Sequence, residues 1–600
     1  MNHLYKILPL YIFIMLTAGA CQQKSTQEAS DIDFQRIGNS AIIRQEAEPD
    51  RLTPLITTNN YANQVMYETI FLFLEEPDPE TLNYQPCLIE KRPVPKDVTE
   101  GEYAGSVAFT FDIHDAAVWD DGRPVTGNDY LFTFKAILNP KVQAAPFRPY
   151  AAIYRGIEVD PEEPKHFTVY ADKSIETEAY VTNLFVVLPE HLYDPEGYLR
   201  DIPLEQLIDP EQRDQLADSE PRLQQFADQF SDQKYGRDPQ FVSGCGPYRL
   251  VEWTTGQRIV LEKKENWWGD ALAGEYPALQ AFPRELIFQP IPDAATYIAA
   301  MKGEEIDLAY NIDPNGFEEL QESNYTQERF DFFTPPIMAY SLIYLNTKLP
   351  ELSDKRVRKA LAHVIDVQEI IDNIYNGIGE RLATPVLPSF DYRDPTLKPY
   401  EFDIDQAREL LAEAGWEDSN NNGIVDKEIN GELKELELEL FISAGRETQR
   451  QSALLVQDNA RRAGISIQPV QQESSVLFDN LRKRNYEMAY AGRGFSTPLW
   501  NPKQSFHTLE GDNRTGFGDA ETDALIDEIL VTLDKEKRDS LYKVLQARIY
   551  EEVPEIPMFV LSNRIAIHKR FETTVSPLYP GVFPRLLKLR DPFREEVSLQ

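Results

Sequence analysis

Cysteine is nearly missing from this chain, with three in 600 residues, at Cys21, Cys87 and Cys245. That scarcity excludes a disulfide-stapled scaffold and a cysteine-ligated zinc module. Histidine is thin as well: His3, His114, His166, His191, His363, His507 and His568 never fall at i, i+4, and no HExxH occurs. A helical two-histidine zinc site is therefore absent. No G-x-S-x-G elbow, Walker A loop or G-x-G-x-x-G turn is present, so the compact signatures of hydrolases and nucleotide binders are missing too. Positive charge is short: 60 Lys and Arg face 99 Asp and Glu, for a formal net charge of −39. The acids are spread along the chain. Nucleic acid and bare anionic membrane, which need clustered Lys and Arg, are poor partners.

Long apolar runs are confined to one place. Residues 6–21 read KILPLYIFIMLTAGAC, a basic residue, an uncharged apolar run and then small residues up to Cys21. The run falls short of the roughly 20 residues that span a bilayer and fits a signal-peptide core. Ala18-Gly19-Ala20-Cys21 resembles the lipobox of bacterial lipoproteins, with Ala where Leu is usual. That resemblance implies a signal peptide over 1–20, lipidation of Cys21 and a lipid-anchored tether over 21–40. A plain secretory signal with a coincidental cysteine is the alternative reading. A chain outside the cytoplasm lacks ready ATP or NAD, which favours binding and delivery over cofactor chemistry. An oxidising compartment would permit a disulfide between Cys87 and Cys245; two separately buried thiols are the alternative.

What is present is ample apolar content, 42% of the chain, enough for several cores. Aromatics make up 11%, which suits cores and ligand clefts alike. Val107, Phe109, Phe111 and Ile113 alternate as a half-buried strand does. Asp121-Gly122 marks a turn, and Asn128-Asp129 opens a helix. Residues 199–235, rich in Glu, Gln and Asp, are expected to be an exposed helical excursion. Asp354 is placed to cap a helix whose Val357, Ala360, Leu361 and Val364 share a face. Asp366 and Glu369 suggest a capping box for the next helix, which stops at Gly377. Asp405 is expected to start another, with Ala407, Leu410, Leu411 and Ala414 on one stripe and Gly415 ending it. The reading is mixed α/β in more than one domain.

A series of motifs then resembles one family in the correct order. Val118-Trp119-Asp120-Asp121-Gly122-Arg123-Pro124-Val125-Thr126 with Asp129 comes first, then Gly244-Cys245-Gly246-Pro247-Tyr248 and Asn266-Trp267-Trp268-Gly269. Met301-Lys302-Gly303-Glu304-Glu305-Ile306-Asp307, Leu345-Asn346, Arg356-Val357-Arg358-Lys359-Ala360 and Ile365-Asp366 follow. Asn513-Arg514-Thr515-Gly516-Phe517 and Pro554-Glu555-Ile556-Pro557 close the series. Together they resemble the bacterial extracellular solute-binding proteins of family 5, which serve ABC transporters as oligopeptide and dipeptide binders.

The resemblance implies an α/β, two-lobed periplasmic-binding-protein fold of type II, cluster C, with an extra subdomain on the first lobe and a two-strand hinge. The expected division is lobe I over 41–75, 175–285 and 555–600, subdomain II over 76–174, and lobe III over 286–554. It implies a non-enzymatic, lipid-anchored monomer in the periplasm that closes around a peptide and delivers it to an inner-membrane ABC permease. An oligosaccharide or a small anionic metabolite is the alternative ligand. Trp119 and Trp268 are expected to be packing residues. The family topology is compatible with Cys87 and Cys245 meeting at one interdomain seam.

Oligopeptide binders hold the ligand amine with an acid in the segment that here reads Ala491-Gly492-Arg493-Gly494-Phe495-Ser496-Thr497-Pro498-Leu499-Trp500-Asn501-Pro502. No Asp or Glu is found there, and Arg493 offers a fork suited to a carboxylate. Pairing of Arg493 with an internal acid such as Glu487 is the alternative. Phe495, Ser496 and Trp500 are candidate cleft residues, as are Thr57, Thr58, Asn59 and Tyr61 in the first loop. Asp418, Asn420, Asn422 and Asp426 match the start of a calcium loop, although Ile429 stands where the closing Glu belongs; an Asx-rich turn is the plainer reading.

Overall fold

The alternation at Val107, Phe109 and Phe111 folds as expected, into strand Val107–Asp112 with those three side chains buried. The structure, a computed structural model, describes residues 38–57, 59–495, 497–509 and 513–590. The leader, Cys21, Thr58 and Ser496 lie outside the described residues.

Three sheets organise the chain. A seven-stranded sheet runs in the order Phe330–Phe333, Ile565–His568, Leu308–Ala309, Ser40–Gln45, Glu285–Pro290, Arg258–Lys263, Tyr248–Thr254. A four-stranded antiparallel sheet (Lys96–Asp97, Val107–Asp112, His166–Ala171, Tyr154–Val159) packs beside it. One continuous hydrophobic core joins these two, so the expected extra subdomain shares its interior with the first lobe. Trp119 and Trp268 are buried in it, and the indole N–H groups of Trp267 and Trp268 both donate to the Cys245 carbonyl.

The second lobe is a six-stranded sheet, Glu380–Arg381, Glu555–Ser562, Pro336–Leu345, Met488–Gly494, Glu437–Ser443, Ser466–Gln472. Its strands are apolar on both sides. Ile343, Leu345, Met488 and Tyr490 face one core, while Leu342, Tyr344, Ala489 and Ala491 face the other. Double burial of this kind follows from helices covering both faces.

The chain crosses between lobes at two adjacent places. Phe330–Phe333 passes into Pro336–Leu345, and Glu555–Ser562 passes into Ile565–His568. The crossing strands pair antiparallel on both sides, and the Asn563 N–H donates to the Pro335 carbonyl between them at 2.9 Å. This is the two-strand hinge. Its position corrects both expected bounds of lobe III, 286 and 554, because Glu285–Pro290, Leu308–Ala309 and Phe330–Phe333 all pair within the first sheet and Glu555–Ser562 pairs within the second. Pairing with Ser40–Gln45 decides lobe membership there, and no composition shift marks it.

Asp354 and Asp366 cap helices Lys355–Val364 and Val367–Ile374 as expected, each accepting from a backbone N–H of the first turn. The third helix, Ile404–Glu413, is capped by Asp403 and not by Asp405, whose side chain pairs with Arg408. Residues 199–235 are helical but only partly exposed. Helix Pro210–Ser219 buries nothing, whereas Pro221–Phe230 turns Leu223, Phe226 and Phe230 into the first core. Among the described residues no helix is long and apolar enough to cross a membrane.

Candidate ligand cleft

Two adjoining cavities lie where the lobes face each other, and Phe495 lines both. The first is open to solvent, with about 1420 Å³ of free space, and is walled by Asn60, Asn63, Gln64, Tyr67 and Glu68 on one side and Ile337, Met338 and Ala339 of the hinge strand on the other. Leu578, Tyr579 and Phe583 make it largely apolar. The second, also open to solvent, has about 920 Å³ of free space and is more polar, with Glu176, Tyr180, Arg493, Asn501 and Arg514 among its walls.

Arg493 reaches the second cavity from strand Met488–Gly494. The register sets Tyr340 opposite Arg493 and Tyr344 opposite Glu555, so all four side chains share one face of the sheet. Both guanidinium Nη atoms donate to Glu555, at 2.9 and 2.8 Å, and also to the Tyr340 and Tyr344 hydroxyls, at 2.6 and 3.3 Å. The guanidinium lies 5.7, 5.4 and 5.5 Å from the ring centres of Tyr340, Tyr344 and Phe506. Burial works against its charge, but the Glu555 carboxylate together with Tyr340 and Tyr344 holds Arg493 well above the usual arginine range. The fork that could receive a ligand carboxylate is thus already filled by Glu555. Glu487, the partner considered from sequence, instead accepts from the Glu439 N–H.

Glu176 enters the same cavity from the first lobe. Its carboxylate accepts from the Tyr180 hydroxyl at 2.7 Å and from Asn501 Nδ2, across the cleft, at 2.5 Å. Burial raises its pKa above the usual carboxylate value, opposed by those two hydrogen bonds. The Ile175 N–H donates to the Leu530 carbonyl at 2.8 Å, so the lobes also touch through main chain here.

In the first cavity one guanidinium serves two carboxylates. Arg585 Nη2 binds Glu76 at 2.7 Å, while its Nε stands 3.4 Å from Glu68. Burial, and then the neighbouring Glu76, push Glu68 well above the usual carboxylate range.

A family model described as "Bacterial extracellular solute-binding proteins, family 5 Middle" matches residues 99–517. The chain belongs to that family. The oligopeptide-binding protein AppA of Bacillus subtilis (strain 168) is 23% identical over 573 residues, covering 94% of each chain. The nickel-binding periplasmic protein of Escherichia coli (strain K12) is 27% identical over 335 residues, 54% of this chain and 60% of that protein. The solved structure of B. subtilis AppA in complex with a nonapeptide superposes with a TM-score of 0.61 at 20% identity, covering 92% of this chain and 99% of that one. That likeness shows the shared two-lobed fold.

Within this family 5 fold, the residues expected from sequence scatter. Phe495 does wall the cleft. Trp500 lines the second cavity but is 2% exposed, packed against Tyr542 and Phe506. Thr57 and Asn59 are structural: Thr57 Oγ1 donates to Asp50, and Asn59 caps helix Asn60–Met66 through the Tyr61 and Ala62 N–H groups. Tyr61 lines neither of the two cavities, whereas Asn60, Asn63 and Gln64 of the helix Asn59 caps line the first. The cap was the usable signal, because polar side chains at helical spacing after it mark the facing side. Glu176 carried no signal, since its partner Asn501 is 325 residues away in sequence.

Two places where the sequence left alternatives open remain. Cys87 and Cys245 are free, buried thiols, and Cys87 Sγ donates to Glu76 at 3.3 Å. Asp418 accepts from the Asn422 and Gly423 N–H groups, and Asp426 accepts from Ser419 N and Oγ. Those oxygens serve the loop's own donors, which is the arrangement of an Asx turn.

Proposed function

We propose that this protein is a non-enzymatic, substrate-binding lipoprotein that captures peptides between its lobes and delivers them to an inner-membrane ABC permease. Cys21 carries its anchor, outside the cytoplasm. The observation that carries this reading is the pair of adjoining cavities at the hinge, one mostly apolar and one polar, that share Phe495 as a wall. An extended peptide rises about 3.3 Å per residue and presents side chains alternately, so it needs a long cleft of mixed character. The nonapeptide held by the similar B. subtilis protein supports the same class of ligand. A small anionic metabolite loses its support, because Arg493 is already bound to Glu555.

Native mass spectrometry of the purified protein is expected to show retained peptides, and isothermal titration with a peptide library to give heat. A library in which no member gives heat, with no retained peptide, would overturn the reading.

A further inference from the structure

The second cavity holds a carboxylate with no counter-charge. Glu176 is half-buried, and its partners are the neutral Tyr180 hydroxyl and the neutral Asn501 amide. Among the described residues no Lys, Arg or His pairs with it. The cations nearby are engaged elsewhere: Arg493 with Glu555, and Arg514 against the rings of Tyr344 and Phe478. Removing an ionised carboxylate from water without a paired cation is costly, and protonation or an incoming positive charge relieves it. The surrounding wall suits a cation. Tyr180 and Tyr150, ring centres 5.2 Å apart, stand beside Glu176 in the same cavity, and aromatic faces attract positive charge.

We infer that Glu176 is the cation-receiving group of the cleft, taking an ammonium or guanidinium of the bound ligand from the lobe opposite the Ala491–Pro502 segment. The inference rests on the ligand-capture reading above and adds the chemistry that the ligand must carry. It also ties recognition to closure. The two donors to Glu176 come from opposite lobes, Tyr180 from the first and Asn501 from the second. A cation at this carboxylate therefore sits where the lobes meet, so its binding favours the closed arrangement.

The test uses the full-length protein and two random pentapeptide libraries, one with free amino termini and one N-acetylated and free of Lys and Arg. The wild type is expected to hold the free-amine library at least tenfold more tightly. Glu176→Gln keeps the shape and should erase that preference, with affinity for the free-amine library falling about 10–100-fold. Asn501→Ala leaves the carboxylate in place and should keep the preference, which separates charge recognition from closure or folding. An N-acetylated library containing Lys and Arg distinguishes a side-chain cation from the terminal amine. Glu176→Gln retaining the wild-type preference would overturn the inference. If the wild type binds neither library, the peptide reading fails on its own. Thermal stabilisation by arginine amide, present in the wild type and absent from Glu176→Gln, would then uphold the cation site, and its absence would overturn it.

Discussion

Replacing Arg493 by Ala strips the guanidinium from Glu555, a carboxylate with no exposed side-chain surface. It also takes a donor from the Tyr340 and Tyr344 hydroxyls. Removing one partner of a buried, hydrogen-bonded ion pair costs about 3–5 kcal/mol, because the other charge is left uncompensated. Arg493 keeps 14% exposure toward the cleft, so the lower end, about 3 kcal/mol, is expected. Arg493→Lys should recover part of this, since a point charge cannot reproduce two parallel bonds. The double replacement Arg493→Met with Glu555→Leu should recover more, because apolar side chains of similar size remove both desolvation penalties together. Urea unfolding of the four proteins, followed by circular dichroism and by tryptophan fluorescence, reads the order. The two signals matter because a chain with two lobes need not unfold in one step. Wild-type stability in Arg493→Ala, combined with a selective loss of affinity for peptides bearing a free carboxylate, would refute this reasoning. That pattern would return the arginine to ligand binding.

Glu75 gives a pH signature: burial first, then the Glu178 charge, raise its pKa from 4.5 to about 7, against the pull of Arg92. The folded chain thus holds this proton after the unfolded chain has released it, so its contribution is complete below pH 4.5 and is lost as pH rises through 7. Glu75→Gln should flatten that slope by on the order of 3 kcal/mol across the window, read from denaturation midpoints at stepped pH; an unchanged slope would contradict it. Gly246→Ala should destabilise the first lobe by more than about 1–3 kcal/mol, since its Cβ would lie 2.4 Å from the Thr69 carbonyl oxygen, and a wild-type melting curve would contradict the packing described. Thiol titration should find Cys87 and Cys245 unreactive in the native protein and both reactive after unfolding without reductant; a disulfide-linked peptide in the digest would contradict the free thiols.

Local structure was legible where one short segment decides it. The alternation of Val107–Ile113 and the caps Asp354 and Asp366 depend on neighbours a few residues away, and each folds as read. Trp119 and Trp268 were placed in the core by size alone. The cap at 403 was missed because Asp403 and Asp405 are both good caps, and only the geometry selects between them. The lobe boundary was misplaced because strand pairing over more than 200 residues, Ser40–Gln45 with Glu285–Pro290, leaves no local trace. The cleft was least legible of all. Arg493 stood out in the sequence, but Glu555, 62 residues further on and across the hinge strand, fixes what it can do. In an acid-rich chain, sequence offers many partners for one arginine, and sheet register chooses among them.

The two crossings between lobes also determine how the energy of capture is shared. At the junction, Pro335 and Pro336 supply no N–H, so the ladder is interrupted there and bending concentrates in a few dihedrals. Asn563 stitches this point, accepting from the Asn311 N–H and donating to the Pro580 carbonyl. For lobes that open and close about this junction, as the proposed function requires, the equilibrium has a set-point of its own, written in residues that need never touch the ligand. Apparent affinity equals intrinsic affinity reduced by the fraction of molecules able to close. Every ligand pays the same toll at this junction, whatever its side chains, so the hinge scales all affinities together while the cleft ranks them. Breadth of recognition and strength of retention can then vary independently in this protein, one through the walls of the cavities and the other through a single asparagine beside two prolines.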